Sequence, residues 1–170
     1  SKPCPPSDVA TVILDTDFLS SFLKIGRCDL IRSLYQVEQA FIPAAVHREL
    51  AQTDLLESLL ATEWIKVLSV EQPFDEVLLQ DHTFQALGSG EQACIRLARS
   101  WPDSVLLISD NKARQFARSL GITVANIPAF LLACKMADLV TPQEMAQIVQ
   151  DLKTRDFYEF KAEVRDLLLA

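Results

Sequence analysis

Four acids stand where acidic side chains are locally least comfortable: Asp15, Glu49, Glu91 and Asp110. Asp15 ends the apolar run Val12-Ile13-Leu14, and Asp110 follows Val105-Leu106-Leu107-Ile108-Ser109. Glu91 comes just after Gly88-Ser89-Gly90, and Glu49 lies in Ile42-Pro43-Ala44-Ala45-Val46-His47-Arg48-Glu49-Leu50. Carboxylates at the C-terminal ends of buried strands and at helix starts can meet in one crevice of an α/β sheet. Gathered there, they repel one another and raise each other's pKa unless a cation neutralises them. The expected chemistry is a divalent-metal site, and the reaction it would serve is metal-dependent phosphodiester cleavage.

Each acid also has a plainer reading. Asp17 follows Asp15 at i+2, which on a strand would turn both carboxylates to one face, yet Asp17 could equally cap a helix starting at Phe18. Glu49, beside His47 and Arg48, reads on residue type alone as part of a solvated helical face. Glu91 and Asp110 sit where helix starts favour acids for stability. The agreement of all four on one crevice is what carries the metal reading.

The elements that must position them alternate. Strands are expected at 9–14, 40–42, 64–70 (at the sheet edge), 104–109 and 122–125, with helices between, a pattern that gives α/β with a mainly parallel sheet. Helices are expected at 18–35 with a break near Gly26, and at 44–51, 54–61, 74–82, 91–100, 111–120 and 128–139. Ser89 and Gln92 have capping-box spacing, and Gly121 is placed for a C′ cap. Thr141-Pro142-Gln143-Glu144 combines an N-cap, a proline at N1 and a capping-box Glu. Two final helices, 142–152 and 156–169, follow. Phe157, Phe160, Val164, Leu167 and Leu168 recur in the second at helical spacing, a pattern more often core than interface.

Composition narrows the setting. The chain has 170 residues, 49% hydrophobic, enough for one domain with a real core. A formal net charge of −7 argues against a protein that grips nucleic acid by a broad basic face, while leaving room for metal ions to supply local positive charge. The four cysteines (Cys4, Cys28, Cys94, Cys134) lack zinc-site spacing and suggest a reducing, cytoplasmic setting. The proline-rich start is unlike a signal peptide, and no apolar run approaches the roughly 20 residues of a membrane span. Lys112, Arg114 and Arg118, with Arg96 and Arg99 on a neighbouring helix, are the basic residues that could meet a nucleic-acid backbone; a solvated charged face is the commoner role. His47 and His82 have no partner in ligand spacing and are read as incidental.

Val12-Ile13-Leu14-Asp15-Thr16-Asp17, the Ile42–Leu50 segment, Gly90-Glu91-Gln92-Ala93 and Leu107-Ile108-Ser109-Asp110-Asn111-Lys112-Ala113-Arg114 together resemble a PIN domain. The resemblance covers about Val12 to Val140 and is closest to the branch with "GE-x-x-A" and "D-x-x-A-R" helices. It implies a three-layer α/β/α domain over 9–140, with a C-terminal helical extension over 141–170 packed on it. It also implies an Mg²⁺- or Mn²⁺-dependent ribonuclease, often the toxin of a toxin–antitoxin pair. RNA is then the substrate, and an antitoxin and a homodimer are the expected partners.

Matched motif by motif, Asp15, Glu49, Glu91 and Asp110 fall on the family's acidic positions. We expect Asp15 and Asp110 as direct ligands, Glu91 direct or through water, Glu49 orienting water or binding a second ion, and Asp17 as a further ligand. Two positions depart from the family: Asp17 replaces the usual Asn or Ser, and Ser109 stands where relatives often have a second acid. Two other readings compete. A haloacid-dehalogenase-like phosphatase would use Asp15 as nucleophile and Asp17 as acid, but leaves Glu49 and Glu91 unexplained. A non-catalytic PIN-like binding module would keep the fold without turnover.

Overall fold

The computed structural model describes residues 11–68 and 75–170. Apolar runs with strand-favouring residues supply β1 (Thr11–Leu14), β2 (Ala40–Pro43), β3 (Ile65–Leu68), β4 (Ser104–Leu107) and β5 (Thr123–Ala125). All neighbours pair in parallel, in the order β3-β2-β1-β4-β5. β1 and β4 are buried at every position, as strands covered on both faces must be. The chain walks from β1 outward to β3, then returns to place β4 on the other side of β1. The reversal between β1 and β4 is a topological switch point, where the carboxyl ends of α/β strands leave a crevice. Register carries both strands to the same level there, with Leu14 opposite Leu107 and the Asp15 N–H donating to the Leu107 carbonyl at 3.0 Å.

Helices cover the sheet on both sides, a three-layer α/β/α arrangement. They are α1 (Thr16–Ile25), α2 (Asp29–Tyr35), α3 (Ala44–Ala51), α4 (Leu56–Ala61), α5 (Glu76–Gln80), α6 (His82–Gln85), α7 (Ser89–Ser100), α8 (Asn111–Ser119), α9 (Ile127–Met136), α10 (Pro142–Arg155) and α11 (Ala162–Leu169). Thr141 and Glu144 form the expected reciprocal cap, with N···O distances of 3.0 and 3.2 Å. α10 lies against α1, and α11 against α9 and α10, so the C-terminal helices share the core of the sheet domain. The Lys135 ammonium fastens the end of α11 by donating to the Leu167 and Ala170 carbonyls.

Several expected boundaries move, each for a local reason. α1 begins at Thr16, not Phe18, so Asp15 and Asp17 do not share a strand face, and Asp15 takes the N-cap position. Gly26 ends α1 in the left-handed conformation (φ 69°), which glycine adopts freely. The helix expected over 74–82 is two short ones: the Asp81 carboxylate accepts the Thr83 and Phe84 N–H groups at 2.8 and 3.1 Å and starts a new turn. Positions 9, 10, 69, 70 and 74 of the expected elements lie outside the described residues.

The last helix starts at Ala162, not Asp156. α10 instead closes with Phe157 in the left-handed region (φ 53°) and the Tyr158 N–H donating to the Leu152 carbonyl at 2.9 Å. That slot usually holds glycine, and a side chain there costs about 1–2 kcal/mol. Phe157 and Leu167 are exposed, while Phe160 and Leu168 enter the core, so the apolar stripe of this segment splits between two fates.

Phe18, Phe22 and Phe130 form the centre of the helical layer that joins α1 to α9, with ring centroids 5.0–5.4 Å apart. All three are essentially without solvent contact. Phe130→Ala removes the ring common to the two edge-to-face pairs and should cost about 3–5 kcal/mol, read as a lowered urea midpoint with an unchanged slope.

Candidate metal centre

Asp15 is only 2% exposed, held at the mouth of the switch point by the Leu107 carbonyl behind it and the first turn of α1 ahead. Its side chain makes no N-cap bond to the helix N–H groups deeper in that turn. Burial pushes its pKa up from the usual 3.8 to about 7; the Thr16 N–H works against the rise, and the charges of Glu91, Asp17 and Glu49 add to it. The Cys94 thiol lies 3.9 Å from Asp15 Oδ1. Burial, then the charge of Asp15, raises the thiol's own pKa well above its usual range, so it faces the acid as a neutral group.

Glu49 is not the solvated surface acid that its neighbours suggest. α3 turns it back towards α7, where its Oε1 accepts the Gly90 N–H at 2.9 Å and the Ser89 hydroxyl at 3.3 Å. Its Oε2 accepts the Thr16 hydroxyl. Three elements thus fix one carboxylate. Gly90 is glycine for a steric reason: a Cβ there would lie 2.6 Å from Glu49 Oε1.

Glu91 accepts the Gly88 N–H at 3.0 Å. Gly88 has no side chain to return the bond, so this is half a capping box, and the expected Ser89/Gln92 box does not form because the Ser89 hydroxyl is spent on Glu49. Burial raises the Glu91 pKa, the Gly88 bond lowers it, and Asp110, Asp17 and Glu49 raise it further. Asp17, in the first turn of α1, is raised by burial and then by Glu49, Asp110 and Asp156, with Lys24 pulling the other way. Asp110 caps α8, accepting the Ala113 N–H at 2.9 Å. All five acids singled out in the sequence are therefore joined in one electrostatic cluster, Asp110 through Asp17 and Glu91.

The sequence did not point to a further group at the rim. Asp156, 11% exposed at its side chain, pairs with Lys24 at 2.9 Å and accepts the Ser21 hydroxyl. Of the basic residues, Lys112 and Arg118 are exposed and Arg114 is half-buried, with its guanidinium donating to the Asn111 side chain at 2.7 Å. Arg99 is paired with Asp75 at 2.9 Å. His47 and His82 lie outside the cluster's hydrogen bonds.

The donor set is all oxygen, the type preferred by Mg²⁺ and Mn²⁺. Among the described residues, no three His, Cys, Asp or Glu side chains are arranged to hold one ion directly. Mg²⁺ asks for less: it keeps several waters and is usually held by one or two carboxylates. The acids fit such a hydrated ion in chemistry and in their need for positive charge.

The acids thus gather at the topological switch point, where α/β sheets of this kind place their ligands. The family model described as DUF3368, a PIN domain, matches residues 11–169, and the chain belongs to that family. The match runs through α11, well past the Val140 limit of the sequence resemblance. PIN domains are generally nucleases and typically use divalent metals. Comparison with curated proteins and with solved structures gives no match. No helix among the described residues is long and apolar enough to cross a membrane.

Two outcomes follow from this geometry. Asp15 is protonated in the folded chain, but not in the unfolded one, between the usual 3.8 and about 7. Folding stability in chelator should therefore fall as pH rises through that window, by an amount approaching 4 kcal/mol. Asp15→Asn should remove the fall, leaving the variant more stable than the parent at pH 8 and equal to it near pH 3, as read by urea unfolding. Gly90→Ala should displace the flexible Glu49 carboxylate and shift stability by no more than about 1 kcal/mol, while weakening Mn²⁺ binding in calorimetric titration as much as Glu49→Ala does.

Proposed function

We propose that this PIN domain is a divalent-metal-dependent endoribonuclease that hydrolyses RNA phosphodiester bonds. The observation that carries the reading is the buried Asp15 carboxylate at the switch point, under the charges of Glu91, Asp17 and Glu49, with Asp110 acting on two of these. Membership of the PIN family favours this reading over the phosphatase one.

When bound, Mg²⁺ or Mn²⁺ would supply Lewis acidity towards the phosphate and lower the pKa of a water. Asp15 and Asp110 would hold it, with Glu91 joining directly or through water and Asp17 adding charge from the first turn of α1. Glu49, pinned by three donors, suits the task of orienting the attacking water by accepting its proton. The water oxygen bonds to phosphorus as the bond from phosphorus to the leaving oxygen breaks, and the leaving oxygen takes up a proton. Lys112, Arg114 and Arg118 on α8, the helix that Asp110 caps, would meet the flanking phosphates. A partner antitoxin, the finer form of this reading, would have to bring a cation to the crevice, since carboxylates are what it must mask.

Purified chain, incubated with single-stranded RNA and Mn²⁺, should cleave it. EDTA or Asp15→Asn should reduce the rate by at least about 10³-fold, and Arg114→Ala should raise KM more than it lowers kcat. The activity should climb as pH rises towards 7, because Asp15 must lose its proton to accept the ion; added metal should move that rise to lower pH. Cleavage that survives both chelation and Asp15→Asn would defeat the proposal, whereas Mn²⁺ binding without cleavage of any RNA would favour the non-catalytic module.

A further inference from the structure

Phe157 combines two unfavourable features at one position. Its backbone is left-handed at φ 53°, and its ring is 88% exposed. Strain of this kind persists where surrounding structure enforces it, and it gathers at functional sites. The enforcement is visible on both sides. Asp156 is tied to Ser21 and Lys24 of α1, the helix that begins beside Asp15. Tyr158 bonds back to Leu152 and sets its ring edge-on to Phe160 at 5.0 Å. Phe157 is thereby held outward between two anchored neighbours, on a segment clamped to the helix that borders the acidic crevice.

The surroundings favour a nucleobase over a protein partner. Of the chain neighbours of Phe157, Tyr158 is half-buried and Phe160 is in the core, while Arg155 and Glu159 are exposed, so the exposed part of the segment around the ring is charged. Both nearby acids are compensated, Asp156 by Lys24 and Glu159 by Lys153 at 3.4 Å. Arg114 is near enough to lower the pKa of the Tyr158 phenol, against the larger effect of burial. Among the described residues, neither Arg114 nor Arg155 has an ion-pair partner. Arg155 thus lies two residues from the exposed ring, and Arg114, outside any ion pair though bonded to Asn111, lies near its neighbour Tyr158. Proteins take up single strands with such groups, as bases stack and phosphates meet cations.

We propose that Phe157 is a stacking platform for one base of a single-stranded RNA, with Arg114 contacting the adjoining phosphate. This deepens the nuclease reading and rests on it for the identity of the ligand. It gives the C-terminal segment a share in substrate binding and predicts a preference for unpaired RNA.

The test measures binding apart from turnover. Full-length Asp15→Asn protein in Mg²⁺ is titrated into a fluorescein-labelled ten-nucleotide single-stranded RNA, and anisotropy is followed. Phe157→Ala should raise Kd by about 5- to 150-fold, and Phe157→Trp should restore it. Phe157→Gly should lose the same affinity with a Tm at or above the parent's, since glycine suits that φ; this separates lost stacking from lost folding. The same RNA annealed to its complement should show no dependence on Phe157. Affinity within twofold of the parent for Phe157→Ala would overturn the proposal, as would equal losses for duplex and single strand. A change in oligomeric state on Phe157→Ala with unchanged RNA affinity would overturn it in favour of a contact between copies. Phe157-dependent binding without metal-dependent cleavage would leave the platform standing and remove the nuclease reading alone.

Discussion

Everything about this molecule is arranged around a carboxylate that ought not to be buried. Removing Asp15 from water penalises its charge, and the surrounding acids penalise it again. A domain can hold such a group only if its backbone is fixed by something stronger, and here that is the pairing of β1 with β4. Their ladder extends past Leu14 and Leu107 into the Asp15 N–H, so the position of the acid is part of the sheet itself. The cation that would relieve the penalty is thereby linked to the stability of the fold. An ion that binds the folded chain and not the unfolded one would stabilise the same pairing that fixes the acid.

The second acid, Glu49, is governed by the opposite logic. It is surrounded by donors from α1 and the start of α7, and the absent side chain of Gly90 is what allows the approach. One carboxylate is therefore destabilised and exchangeable in charge, and another is immobilised and shaped. Sites that bind an ion and orient a water need both kinds, and assigning them to different helices lets each be set independently.

The architecture was legible in the sequence because its cues were local. Val12–Leu14 and Val105–Ile108 are unbroken apolar runs, Thr141 and Glu144 are reciprocal caps three residues apart, and the acids follow the strands directly. What escaped was information held between distant segments. Glu49 looks like a surface acid until α7 packs on α3 and brings Ser89 and Gly90 to it. Asp156 and Phe157 look like the start of a helix until Ser21 and Lys24 claim the aspartate and the backbone of Phe157 turns left-handed without a glycine to announce it. The Ser89/Gln92 spacing misled for the same reason: the hydroxyl that would have capped its own helix was drawn to Glu49, forty positions away on α3. Short-range pattern reports what a segment prefers alone, and tertiary partners decide the rest.

The strand order has a consequence for how the protein is born. β1 is made before its neighbour β4, whose Ser104 follows Leu14 by 104 − 14 = 90 residues, so their contact is of high sequence separation. Until β4 arrives, Asp15 lacks the Leu107 carbonyl that anchors it, and Asp110 does not yet exist. The acids at the switch point can therefore come together only after β4 and the start of α8 have been made.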